Sequence, residues 1–307
     1  MLRIEPPEQD EGKWLMLSEI LIIVVRGIAI GSIFAMIAMS FNIVHGATGI
    51  LNFAQGNMLV LGAFGAFFLA NGASLGIWLP MLLVTGVVIA AVLAFQGWIT
   101  LIPLRSSVEQ DSWIISTVAV SVIVGALIMI YQGPFAYNVR GPAPYFRVLG
   151  VRTPGAYGLA IACMLFWFFA MRYFSRKTFI GLAISALSQD FDAARAAGLP
   201  VRRLQLIAFA ISGLMIGTAG FLVAPVISVS ADAGLRYVLN GFVAAVVGGI
   251  GSNLGTLIGG PLVGVVAMLT AYKIGGAYQD LASLLVLVGI LMVRPQGLFG
   301  RTSARRV

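Results

Sequence analysis

Residues 27–104 read GIAIGSIFAMIAMSFNIVHGATGILNFAQGNMLVLGAFGAFFLANGASLGIWLPMLLVTGVVIAAVLAFQGWITLIPL, without a single Asp, Glu, Lys or Arg. A helix needs about 20 predominantly apolar residues to cross about 30 Å of hydrocarbon, so this stretch alone accommodates three spans. No soluble core calls for so long an uncharged run. The bias continues outward: of 307 residues 60% are hydrophobic and 10% charged, with a mean hydropathy of +1.00, where water-soluble domains carry about 25% charged residues. The composition predicts an all-α, polytopic integral membrane protein with a single transmembrane domain over residues 1–307.

Apolar runs place spans at 20–41, 50–70, 77–102, 113–131 and 156–171, followed by 204–224, two Gly-rich pieces at 237–250 and 254–272, and 281–293. The expectation is about eight or nine transmembrane helices, some short or Gly-broken. Residues 1–19 are acidic at their start and lack the basic segment and small-residue cleavage site of a signal peptide, so a tail ahead of a retained first span is expected. A weak internal echo, Ile50-Leu51-Asn52 against Val238-Leu239-Asn240, suggests two related halves, and duplicated transporter folds place interrupted helices at corresponding positions.

The net charge of +8 could indicate nucleic acid. The Lys and Arg residues, however, lie between apolar runs rather than on one basic face, as the positive-inside bias requires. Arg172, Arg176, Lys177, Arg195, Arg202 and Arg203 crowd residues 172–203, and Arg294, Arg301, Arg305 and Arg306 crowd the tail 294–307. Both are expected in the cytoplasm. An even number of crossings must then separate them, which holds if both Gly-rich pieces span and 251–253 forms an inner turn. The same count puts 133–154 outside, against the bias of Arg140, Arg147 and Arg152. Its prolines, Pro134, Pro142, Pro144 and Pro154, predict an irregular loop able to face a soluble partner. The uncharged surroundings of His45 and Asn71 leave the first two spans without an orientation from charge.

Catalytic chemistry needs clustered ionisable groups, and the sequence has one histidine, His45, one cysteine, Cys163, and no pair of acids inside an apolar run. Metal sites and thiol or Ser-His-Asp catalysis are excluded on that ground, and no cofactor is implied. No G-x-x-x-x-G-K-[ST] phosphate loop occurs; Lys177-Thr178 is preceded by MRYFSR, without glycine. Ion-coupled carriers keep carboxylates within the membrane, whereas these spans are almost bare, and Arg26 lies close enough to its span's start to snorkel. Energy for uphill transport must come from another subunit. Cys163 reads as a small packing residue.

The longest polar interruption contains SALSQDFDAARAAGLPVRR, residues 185–203. Ala186, Leu187, Ala193, Ala194 and Ala197 alternate with Gln189, Asp190, Asp192 and Arg195, which predicts an amphipathic helix over 186–197, closed by Gly198 and stopped by Pro200. On its residues alone the segment is either a solvated connection or a docking element.

The pattern A-x-x-Q-D-x-x-x-A-x-x-x-G-L-P-V resembles the cytoplasmic "EAA" coupling loop of ABC importer permeases, with Gln189 where that family often has Glu. GATGILNFAQGNMLVLGAF, the LRSS at 104–107, GFVAAVVGGIGSNLGTLIGGPLVG and the terminal VRPQGLFGR are similar, in order, to segments of the branched-chain amino acid permease family. The resemblance implies a membrane-spanning importer subunit that is not itself an enzyme. It implies a second permease subunit or a homodimer, two ATP-binding subunits, an extracytoplasmic solute-binding protein, and residence in the bacterial plasma membrane, with no nucleic acid. Gln189, Asp190, Ala193, Ala194, Ala197 and Gly198 are the residues it assigns to ATPase coupling.

The family's N-F-A-H-G-E appears here as Asn52-Phe53-Ala54-Gln55-Gly56-Asn57, with a His and a Glu replaced by amides. An amide within an apolar span needs partners from neighbouring helices or from cavity water. Interhelical bonding and lining of the substrate pathway are therefore both open for Asn52, Gln55 and Asn57, and for Asn240 in the echoing segment. The glycines from Gly241 to Gly264 permit close helix approach, or with Pro261 form a broken helix. Trp113, Tyr173 and Phe174 are expected as interfacial anchors. Substrates from branched-chain amino acids to urea, short amides or aromatic and carboxylic acids remain compatible. The rival classes are a stand-alone channel or ion-coupled carrier, and a membrane-embedded enzyme.

Overall fold

The computed structural model describes residues 8–101, 112–148 and 151–300, with side chains placed over 19–101, 115–147 and 153–300. Eleven helices follow one another among the described residues: α1 (Glu8–Thr48), α2 (Gln55–Ala70), α3 (Leu75–Thr100), α4 (Ser112–Gln132), α5 (Gly155–Lys177), α6 (Phe179–Leu187), α7 (Phe191–Ala196), α8 (Val201–Val223), α9 (Ala233–Gly248), α10 (Asn253–Lys273) and α11 (Gln279–Val293). Seven of them are long and apolar enough to cross a membrane. The apolar helices α2 and α9 are shorter, at 16 residues each, about 24 Å of helix against about 30 Å of hydrocarbon. The bundle is an all-α multi-pass membrane protein. Its outer faces are apolar where water would forbid it, as with Ile130 at 75% and Met292 at 82% exposed.

Close backbone approach through small residues holds the centre together, because helices in lipid gain nothing from burying apolar surface and rely on packing instead. A Cβ added to Gly260 or Gly264 of α10 would run into the backbone of α1 at Gly31, and one added to Gly248 or Gly255 would collide with the other's backbone across the α9–α10 turn. Of the two expectations for this Gly-rich region, close packing matches these contacts. Pro261 lies inside an unbroken α10.

The helix interruptions fall elsewhere, ahead of α2 and ahead of α9. The second span does not begin at residue 50: Gly49 takes a φ of +74°, and α2 starts only at Gln55. In the intervening turn the Asn52 side chain accepts the Ala54 N–H at 3.1 Å, replacing a helical bond. The three-residue echo does not map onto equivalent places, since Asn52 precedes α2 whereas Asn240 sits in the middle of α9. The likeness is one of architecture, a non-helical break before a 16-residue helix in each case. The second residue of each short helix is a glycine, and the two meet, a Cβ on Gly56 colliding with the Gly234 carbonyl.

Further boundaries differ from expectation. Helix α1 already begins at Glu8, so most of the expected tail 1–19 is helical. The fifth span runs on to Lys177, which places Arg172, Arg176 and Lys177 on its last turns rather than in a loop. The amphipathic helix expected over 186–197 is two helices. Asp190 leaves the helical region (φ −153°, ψ 104°) and its carboxylate accepts the Ala193 N–H, capping α7 separately from α6. Within 133–154, two short antiparallel strands, β1 (Phe146–Val148) and β2 (Val151–Thr153), replace part of the irregular loop, with Arg147 opposite Arg152. Tyr173 is 67% exposed as an anchor would be, but Phe174 packs partly against the core. The LRSS motif and the tail beyond residue 300 lie outside the described residues, as does the side chain of Trp113.

Two faces result. On one, a cavity gathers the C-terminal ends of α1 and α5, the α6–α7 segment, the 251–253 turn and Phe299 of the tail. On the other, the Gly72 N–H donates to the Arg140 carbonyl, Tyr137 pairs with Val229, and Ser228 bonds Asn138. Residues 172–203 and the tail to residue 300 therefore share a face, as the parity count requires, and 133–154 lies opposite.

Candidate functional site

Three groups of polar residues stand out in a bundle otherwise held by apolar contacts. The first is internal. Asn52 and Gln96 form a reciprocal amide pair, Asn52 Nδ2 donating to Gln96 Oε1 at 3.1 Å and Gln96 Nε2 to Asn52 Oδ1 at 2.8 Å. Both are buried, so the pair joins the α2 break to α3 and leaves water no access. Gln55 Nε2 donates to Ser212 Oγ of α8 at 2.9 Å, and Ser212 shares a 2.7 Å bond with Ser40 of α1. Gln55 Oε1 is buried without a partner. Asn57 donates through Nδ2 to the Ser121 hydroxyl at 3.0 Å and to the Ser121 carbonyl, tying α2 to α4, while its Oδ1 lies against Gly234.

The second group faces the side of 133–154. A cavity of about 340 Å³ opens between α1, the residues ahead of α9, α10 and the start of α11. Asn240 lies here, away from the other three amides. Its Nδ2 donates to the Arg236 carbonyl at 3.0 Å and to Asp280 Oδ1 at 2.9 Å. Asp280 Oδ2 stands 3.2 Å from Arg236 Nε. The third group is the opposite face with its larger cavity of about 930 Å³, bordered by Asn42, His45, Arg172, Gln189 and Asn253. Asn42 bridges here, its Oδ1 accepting the Gly251 N–H at 2.8 Å and its Nδ2 donating to Asn253 Oδ1 at 3.3 Å.

The segment between α5 and α8 is defined by its caps. Thr178 Oγ1 accepts the Gly181 N–H at 3.0 Å to start α6. Helix α7 closes with both bonds of a Schellman motif, Gly198 N–H to the Arg195 carbonyl at 3.0 Å and Leu199 N–H to the Ala194 carbonyl at 3.2 Å. Gly198 has a φ of +79° and open space around it. Gln189, Asp190, Ala193, Ala197 and Gly198 are exposed, whereas Ala194 is buried and anchors α7 to the body.

Residues 23–293 match the model of one family, the branched-chain amino acid transport system permease component. The chain belongs to that family. This permease is 28% identical to the high-affinity branched-chain amino acid transport system permease protein LivH of Salmonella typhimurium, over 92% of this chain and 96% of that one. It is 25% identical to BraD of Pseudomonas aeruginosa over the same shares. The ribose import permease protein RbsC of Haemophilus influenzae is 28% identical over 85% of this chain and 81% of its own length. Among solved structures, a chain of PsaBC from Streptococcus pneumoniae in complex with Fab aligns with 90% of this chain and 92% of its own, with a TM-score of 0.48 and 14% identity.

In this permease the four amides singled out by sequence do not form one site. Asn52, Gln55 and Asn57 bond between helices, while Asn240 borders the cavity of about 340 Å³. Sequence reasoning missed Gln96, Ser212, Arg236 and Asp280. Gln96 carried a signal, as an amide in an otherwise apolar span must find a partner. Arg236 and Asp280 carried none separately, because each is a lone charge near the end of an apolar run.

Proposed function

We propose that the chain forms the translocation pathway of an ABC importer for branched-chain or related small amino acids in the bacterial inner membrane, with the face carrying α6 and α7 turned to the cytoplasm. Asn240 lines the pathway, and Asn52, Gln55 and Asn57 frame it by tying the surrounding helices together. A second permease subunit, similar or identical, completes it; two ATP-binding subunits drive it, and an extracytoplasmic solute-binding protein delivers the substrate. Family membership supports the importer assignment, and the printed names of LivH and BraD support the substrate class.

One observation carries the coupling role: α7, a six-residue helix capped at both ends, stands exposed between two spans, with Gln189, Ala193 and Ala197 presented to solvent. The two caps hold α7 as a defined helix, which suits an element that receives force from a partner. The basic residues of the same face, Arg172, Arg176, Lys177, Arg202 and Arg203, agree with a cytoplasmic side.

The test uses the φ of Gly198. A side chain there meets nothing within 4 Å, so its cost is purely conformational. An ordinary L-residue loses about 1 to 2 kcal/mol in this region, and a β-branched one more. Gly198→Val should leave membrane insertion intact and reduce co-purification of the ATPase subunit or substrate uptake by the assembled complex, whereas Gly198→Asn, which tolerates positive φ, should behave as wild type. Normal uptake and association in Gly198→Val would make the segment an ordinary connection.

A further inference from the structure

The structure assigns a binding site for a zwitterionic amino acid to the outer cavity: Arg236 takes the carboxylate, Asp280 the ammonium, and the wall of Ile30, Phe34 and Ile227 the aliphatic side chain. The assignment rests on the importer reading above and extends it to named residues.

Among the described residues Arg236 and Asp280 form an ion pair at the edge of the cavity, with side chains 61% and 45% exposed. An exposed pair contributes little to folding, so holding the fold together is a weak reason for two charges beside apolar helices. An α-amino acid presents a carboxylate and an ammonium on one carbon, and a guanidinium beside a carboxylate is the complement of that arrangement. The closest contact in the pair is through Arg236 Nε, while bidentate recognition of a carboxylate uses the parallel N–H fork of the guanidinium. Arg236 can therefore receive a ligand carboxylate while staying near Asp280.

Asn240 makes this a built site. It is 4% exposed, and its Nδ2 bonds both the Arg236 carbonyl at 3.0 Å and Asp280 Oδ1 at 2.9 Å. One buried amide thereby fixes the start of α11 relative to the turn of α9 that carries Arg236. Apart from Tyr237 and Gln279 the rest of the lining is small or apolar, and the volume of about 340 Å³ falls at the lower end of the range for small-molecule sites, about 300 to 1,000 Å³. Its opening faces the side of residues 133–154, from which a delivery protein would hand over its ligand. A ligand lacking either charge leaves Arg236 or Asp280 with the same partner as before and gains nothing from the other.

The competing explanation is that the pair merely ties α9 to α11, and a cycle of variants separates the two. The probe is L-leucine, compared with isopentylamine, which lacks the carboxylate, and 4-methylpentanoate, which lacks the amine. Full-length protein in lipid nanodiscs carries Ser230→Cys, a cavity-lining position, in a Cys163→Ala background, and the rate of maleimide alkylation reports occupancy. We expect L-leucine to slow alkylation and neither analogue to do so at the same concentration. Arg236→Gln and Asp280→Asn should each raise the half-protecting concentration at least tenfold, and the double variant should be at least as impaired as either. A tie between helices predicts the opposite, recovery in the double variant, where no charge is left unpaired. Equal protection by an analogue, no protection by leucine, or recovery in the double variant overturns the site, and the analogue comparison needs no charge variant to fold. ATP-driven leucine uptake by the assembled complex, measured in parallel, keeps the two readings apart. Uptake without protection removes the site and leaves the importer, and protection without uptake does the reverse.

Discussion

Replacing Gly264 by Ala tests whether glycine seams hold the bundle. A Cβ at this position would sit 2.5 Å from both the Cα and the N of Gly31 and would collide with the Gly27 carbonyl, where ordinary contact begins at 3.4 Å. Helices α1 and α10 must therefore move apart by about 1 Å at this level, a gap that forfeits a quarter to a half of each dispersion well along the seam. Overpacking of this kind costs about 1 to 3 kcal/mol, against a gain of up to about 1 kcal/mol from replacing glycine within a helix. Gly289 of α11 supplies the control, as a Cβ there meets nothing within 4 Å. Gly289→Ala should be neutral or stabilising. Reversible unfolding in mixed detergent micelles, followed by tryptophan fluorescence, should show Gly264→Ala less stable than Gly289→Ala by about 1 to 3 kcal/mol. A difference below about 0.5 kcal/mol, the ordinary scatter of surface substitutions, would refute the seam as a source of stability.

Gln96→Leu removes the acceptor of Asn52 Nδ2 and should destabilise the protein by about 1 to 3 kcal/mol, and Asn52→Leu/Gln96→Leu should recover only partly, because the Ala54 N–H also loses its acceptor; unfolding in the same micelles is the measure. Asp190→Ala removes the α7 cap, about 0.5 to 2 kcal/mol locally, and should speed amide exchange at Ala193 while leaving Gly181, capped by Thr178, unchanged. Ser212→Ala leaves Gln55 with neither amide atom bonded and should destabilise more than Gln55→Leu/Ser212→Ala, in which no buried amide remains; equal losses would contradict the account of Gln55.

The helices were legible wherever a long uncharged run left no alternative, and the interruptions were not. Hydropathy reads residues 50–54 as part of a span, since Ile50, Leu51, Phe53 and Ala54 are apolar; the break depends on a positive φ at Gly49 and on the bond from Ala54 N–H to Asn52, which no periodicity encodes. The two-helix form of 179–196 was hidden in the same way, because Asp190 suits a helix surface as well as a cap until its dihedrals are known. The terminal V-R-P-Q-G-L-F-G stretch was recognisable as a motif but its work was not. The Leu298 and Phe299 N–H groups donate to the Val247 and Gly248 carbonyls, satisfying the end of α9. The candidate site was partly legible: Asn240 was named, while Arg236 and Asp280, 44 residues apart by their numbers, meet only because α9 and α11 run side by side.

The two breaks differ in how their backbone groups are satisfied. Non-helical backbone at membrane depth is tolerated only where protein or a cavity satisfies it. Ahead of α2 the Asn52 side chain supplies that satisfaction, whereas the break ahead of α9 lies on the face of residues 133–154, where paired bonds between Tyr137 and Val229 close it. Both breaks lead into helices whose second residues, Gly56 and Gly234, are in backbone contact. A shift of α9 relative to α11, the pair bridged by Arg236 and Asp280, must therefore be felt at the start of α2, where Gln55 keeps one amide atom unbonded. An unsatisfied buried carbonyl destabilises the arrangement that contains it by about 1 to 3 kcal/mol. The cost falls at the junction of the short helices rather than in the glycine seam of α1 and α10.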